Sequence, residues 1–174
     1  GGLIADTRGE ERHRHAPTTG AQFMVLESLL AYVHIAALLA VVVFLTSQAA
    51  LCRGEWLNAA VVRRLGRVDR LYLISAVALL AAGIARTVWG VKGFGWYWSQ
   101  PLMHLKLTAF VVIGLLSIKP TLLYIRWRKA LDRDGSLPAA ADIRTARRFV
   151  MIQAHLLMLV PLAATLLARG VWTR

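Results

Sequence analysis

One cysteine, Cys52, stands in 174 residues. No disulfide can close within the chain, so a small secreted disulfide scaffold is excluded. The same shortage leaves no local Cys/His set for structural zinc. No glycine-rich phosphate loop with its lysine and hydroxyl appears. Ser75 and Ser117 have no base beside them in sequence, so nothing argues for a hydrolase. No pair of carboxylates sits in an apolar stretch, and no repeat of 20–50 residues marks a solenoid. Charge is scarce at 17% of residues and lopsided, 21 Lys and Arg against 9 Asp and Glu. A soluble domain carries about 25% charged residues and about 45–50% apolar ones, and this chain is 57% hydrophobic.

The apolar residues fall into four blocks. Residues 28–51 hold no charge in 24 positions, and 149–168 none in 20. Residues 71–91 carry Arg86 alone, and 103–125 carry Lys106 and Lys119. A membrane-spanning helix needs roughly 20 such residues. None of the blocks alternates polar with apolar as a barrel strand must, and Ala and Leu, good helix formers, dominate them. The expectation is an all-α integral membrane four-helix bundle in a domain of 23–174. Residues 1–22 are charged and have no apolar run. They read as a disordered tail or a non-native extension, with Met24 just ahead of the first span.

Orientation follows from the loops. Five basic residues lie in 52–70 and seven in 126–148, but only Lys92 in 92–102. Basic loops stay cytoplasmic. Both termini and the 92–102 loop then face outward across a bacterial inner membrane. The basic residues flank spans and do not interleave with exposed aromatics, so anionic lipid explains them and nucleic acid is not called for. Trp89, Trp96, Tyr97 and Trp98 suit a membrane–water interface. Pro101 sits where a helix tolerates proline, at its first turn.

An ionisable group inside a span costs on the order of 3 kcal/mol and calls for a reason. His34 and Arg86 fall in the outer halves of the first two helices, and His104 and Lys106 open the third. Because His104 and Lys106 are two residues apart they point to opposite sides; Lys106 is taken as the inward one. Glu27 lies two turns above His34 on its face. Lys119 snorkels to the inner surface. His155 lies nearer mid-depth in the fourth helix, within reach of His34 if those helices touch. Met151, His155 and Met158 form one stripe, a donor set suited to Cu(I). Helix bundles build cofactor sites from facing side chains, and histidine is a usual axial ligand to haem iron. His34, with His155 or Lys106, would supply axial or propionate contacts, and Arg86 would neutralise a propionate. Small residues (Ala78, Ala82, Gly83) allow close helix approach, and Pro161 kinks the fourth helix.

Several segments resemble a known family. They are Tyr32-Val33-His34, Gly83 to Arg86 with Gly90-Val-Lys-Gly93, Leu105-Lys106-Leu107, Gly114-Leu-Leu-Ser-Ile-Lys-Pro-Thr121 with Arg126-Trp-Arg128, and Pro161 through Gly170. Over about 24–172 the chain is similar to the bacterial predicted membrane proteins filed as domain of unknown function 2214, which carries no activity to transfer. More distantly, His34 and Leu102-Met-His-Leu-Lys-Leu107 resemble the four-helix bacterial protoporphyrinogen oxidase, a haem-binding membrane enzyme. That resemblance implies His34 and Lys106 as cofactor or substrate groups, haem b or porphyrin as cofactor, and a membrane oxidoreductase working with a redox partner or as a homo-oligomer. Copper-resistance membrane proteins are loosely similar too, which keeps the copper reading alive. The alternative to the redox protein is a non-enzymatic one that handles a metal ion such as copper, with His34 and His155 as ligands, or serves as an assembly partner.

Overall fold

A computed structural model describes residues 17–89, 94–99 and 101–168. Four long helices make the body: α1 (Pro17–Leu51), α2 (Ala59–Val88), α4 (Pro101–Asp134) and α5 (Ala140–Ala168), with a six-residue α3 (Phe94–Ser99) between the second and third of them. The described residues contain no strand. The helices α1, α2 and α4 each carry a stretch long and apolar enough to cross a membrane. The all-helical membrane bundle is thus the fold.

The helices outrun the apolar blocks. α1 starts at Pro17, inside the segment expected to be a tail; residues 1–16 lie outside the described ones. Its 35 residues span about 52 Å, against a hydrocarbon core of about 30 Å. The expected loop 52–70 shrinks to 52–58, because α2 begins twelve residues before its apolar block. The expected loop 126–148 shrinks to 135–139. Arginine and lysine are good helix formers, so a basic run in water extends a helix instead of ending it. What ends these helices is local chemistry. The Asn58 side chain accepts from the Val61 N–H at 3.0 Å and caps α2. Gly135, at φ 73°, closes α4 with its N–H on the Leu131 carbonyl, a conformation that residues bearing a Cβ rarely adopt.

Each long helix runs antiparallel to the next. α1 lies along α2 and α4 along α5, and the α2–α4 and α1–α5 contacts close the bundle. The Trp-rich loop folds as α3 against the start of α4. Phe94 stacks on Trp98 at 5.5 Å, and His104 Nε2 bonds the Trp98 carbonyl at 2.9 Å. His104 therefore holds a turn at the boundary.

The core is mostly apolar with a few buried polar side chains, and the outer surface is apolar as well. Val62, Leu65, Asp69, Tyr72, Ser75, Leu79 and Ala82 form the buried stripe of α2 at three- and four-residue steps. Gln48, Asp69 and Gln153 are all under 5% exposed, while Ile74, Val77, Leu115 and Met158 stand above 60%. In water so much exposed apolar surface would cost about 25 cal/mol per Å2. A hydrocarbon solvent removes that cost.

Candidate functional site: the His34, Arg86 and Lys106 cluster

His34 lies seventeen residues before the end of α1, about 25 Å from the turn that joins α1 to α2. There α1 meets α2 at Gly83. A Cβ at position 83 would stand 3.3 Å from His34 Cε1, so glycine is what lets the ring lie against the neighbouring helix. Alanine would push the ring by a few tenths of an ångström, and a larger side chain would displace it. The ring is half-buried and interacts with the Leu79 carbonyl, one turn down α2. Its Nδ1 is fully buried yet has no hydrogen-bond partner. A buried unpaired nitrogen costs about 1–3 kcal/mol, so this imidazole is placed at a loss.

Two cations share the site. Arg86, one turn above Gly83, and Lys106, from the second turn of α4, both act electrostatically on His34, and Arg86 acts on Lys106. Three helices thus bring three nitrogen-bearing side chains together. Neither cation makes an ion pair among the described residues. The four ion pairs there, Arg63–Asp132, Arg126–Asp142, Arg128–Asp132 and Arg133–Asp134, all lie at the opposite end of the bundle. Arg86 is half-buried, while Lys106, expected as the inward one, is exposed, and no carboxylate pairs with either among the described residues.

His155 stands elsewhere. It lies fifteen residues into α5, about 22 Å along the helix, so its depth is close to that of His34. Its face differs: His155 is exposed, in a shallow surface groove lined by α5 residues alone, Met151 and Leu159 among them. Its Nδ1 bonds the Met151 carbonyl at 2.6 Å. The stripe expected as a copper set is therefore an outward face of α5, with Met158 at 69% exposure. No group of three His, Cys, Asp or Glu side chains gathers among the described residues.

A second polar centre joins all four long helices nearer the basic end, and it was not anticipated. Asp69 Oδ1 accepts from Thr121 Oγ1 of α4 at 3.1 Å and from Gln48 Nε2 of α1 at 3.4 Å. One turn on, Tyr72 donates to Gln153 Oε1 of α5 at 3.1 Å. The Gln153 amide reaches the Leu116 carbonyl at 3.4 Å. That carbonyl is free because Pro120, four residues on, has no N–H to give it. Below, the Cys52 thiol contacts the Tyr124 hydroxyl at 3.1 Å, and burial pushes the thiol up to about 11. Two signals pointed here: Asp69 falls in register with Leu65 and Tyr72, and Pro120 leaves a carbonyl that something must satisfy.

The model of the DUF2214 family, predicted membrane proteins, matches residues 26–172. The chain belongs to this family. The match takes in His34, Gly83, Arg86 and Lys106 as well as the polar centre. No curated protein and no solved structure matches the chain.

Proposed function

We propose that this membrane protein binds a tetrapyrrole, haem b or a porphyrin, at the His34, Arg86 and Lys106 cluster, as a redox protein of the bacterial inner membrane. The observation that carries the reading is a half-buried imidazole with an orphaned nitrogen beside two cations that make no ion pair among the described residues. These groups suit a ligand that is apolar in bulk, offers a metal centre and ends in carboxylates. His34 would ligate the metal, and the nearby Leu79 carbonyl is the kind of acceptor that orients a ligating histidine. Arg86 and Lys106 would hold the propionates. Bound haem would supply one-electron chemistry; the chain supplies orientation, charge neutralisation and exclusion of water. His155 lies outside this pocket.

The placement of charge supports the orientation inferred from the loops. The turns 52–58 and 135–139, flanked by the basic helix ends, then lie in the cytoplasm, α5 crosses as the fourth span, and the cluster falls toward the outer side.

The test is the absorption spectrum of the full chain, expressed with ample haem and purified in detergent. A Soret band is expected, and it weakens strongly in His34→Ala while the melting temperature stays near wild type. A colourless wild-type protein contradicts the reading.

A further inference from the structure

The polar centre between the four long helices holds a carboxylate that no cation of the chain answers. Asp69 is 4% exposed and makes no ion pair among the described residues. Its sequence neighbours Arg67 and Arg70 are exposed. The side chains that reach it from other helices are neutral, Gln48 of α1 and Thr121 of α4. Its charge acts on Tyr72, Tyr124 and Cys52, again neutral groups. Arg147 of α5 acts on Cys52 and not on Asp69. An ionised carboxylate shut away from water is costly unless a positive charge meets it.

What surrounds Asp69 is oxygen. The Thr121 hydroxyl stands 3.1 Å from Oδ1, and one turn on the Tyr72 hydroxyl stands 3.1 Å from Gln153 Oε1. The Leu116 carbonyl, released by Pro120, meets only the Gln153 amide, at 3.4 Å. The amide contacts are slack: Gln48 to Asp69 is 3.4 Å and Gln153 to the Phe149 carbonyl 3.3 Å, where about 2.9–3.0 Å is usual. Each of these amides brings an oxygen with its nitrogen. A carboxylate, hydroxyls, amide oxygens and a carbonyl freed from its helix are donors for a hard cation, and interrupted helices offer carbonyls to Na+ inside membranes. One carboxylate balances one positive charge. No group of three His, Cys, Asp or Glu gathers among the described residues to hold a divalent or soft metal. Oxygens already 3.1 Å apart suit the smaller of the common alkali ions. We propose that the Asp69 centre is a sodium site. The Asp69 carboxylate and Thr121 hydroxyl hold the ion, and the oxygens of Gln48, Gln153 and Leu116 close around it. The ion cancels the buried charge and joins the four long helices at one point. This site is separate from the His34 cluster and needs no tetrapyrrole there.

The test counts radioactive sodium retained by the full chain in detergent, with choline chloride as the background salt. Wild type is expected to hold about one ion per chain, displaced by unlabelled sodium and not by choline. Asp69→Asn, which keeps the size and loses the charge, weakens retention about tenfold or more, and Thr121→Val weakens it less. Glu55→Gln, which removes an exposed carboxylate at the same end of the bundle, leaves it unchanged. Melting temperatures in choline chloride show that the variants fold, and sodium raises that of wild type but not that of Asp69→Asn. No displaceable sodium on wild type, or equal retention by Asp69→Asn, overturns the proposal. A wild type that is stabilised by acid but indifferent to sodium overturns it too, since the carboxylate then holds a proton.

Discussion

Single side chains set the terms at both polar centres. Asp69 is the acceptor for donors from two other helices. Asp69→Ala strands the Gln48 amide and the Thr121 hydroxyl, at about 1–3 kcal/mol for each buried donor left unmade. Asp69→Asn keeps an oxygen for them. Thermal unfolding in detergent should place the alanine variant well below the asparagine one. Cys52 gives a second check. With its thiol raised from 9.0 to about 11, its thiolate fraction near pH 8 is about a hundredfold below that of an unburied thiol, since each pKa unit is tenfold. Maleimide should label it slowly in the native protein and fast in denaturant. The sign for stability follows: above about pH 9 the unfolded thiol ionises and the folded one does not, so this contribution declines as pH rises toward 11. At this scale the sequence was half legible. His34, Arg86 and Lys106 stood out because an ionisable group in an apolar run is costly wherever it points. Asp69 did not, because Arg67 and Arg70 flank it and the stretch reads as a charged loop. Gln48 and Gln153 carry no charge, so a search for charge passes over them.

Proline and glycine shape the helices to fit one another. Pro120 frees the Leu116 carbonyl, and Gln153 of α5 answers it. Gln153→Ala should destabilise by about 1 kcal/mol or more. In Pro120→Ala the backbone N–H returns and the carbonyl has its own partner, so the glutamine amide is needed less. The two changes should then be less than additive, a coupling that a double-mutant cycle of melting temperatures measures. Gly83 does the corresponding service for His34. Gly83→Leu should leave α2 formed, displace the imidazole and reduce any Soret absorbance as His34→Ala does. The existence of the long helices was plain from four apolar blocks, but their ends were not. Hydropathy marks where a helix enters hydrocarbon, and arginine-rich turns carry the helix on into water. The break between the last two blocks was placed correctly, yet its length was overestimated more than fourfold, from 23 residues to five.

As a whole the molecule separates two kinds of positive charge. At one end the basic residues are mostly exposed and partly matched by Asp132, Asp134 and Asp142. Exposed pairs of this kind contribute about 0–1 kcal/mol each, and their value is in orientation. Arg86, half-buried, and Lys106, exposed, lie at the other end beside His34 and make no ion pair among the described residues. Sequence spacing gave both groups their depth, but it could not say which helices touch. That is why His155, at nearly the depth of His34, belonged equally well to the cluster until α5 was seen to turn it outward. The most direct measurement is a titration of the ligand-free full chain in detergent with haemin and with haemin dimethyl ester, followed at the Soret band. If His34 takes the metal and Arg86 and Lys106 take the propionates, haemin saturates one site and binds about tenfold tighter than its ester, by about one charge-assisted contact. That margin vanishes in Arg86→Gln with Lys106→Gln. Absence of saturable binding, or equal affinities for acid and ester in the wild type, would contradict the account.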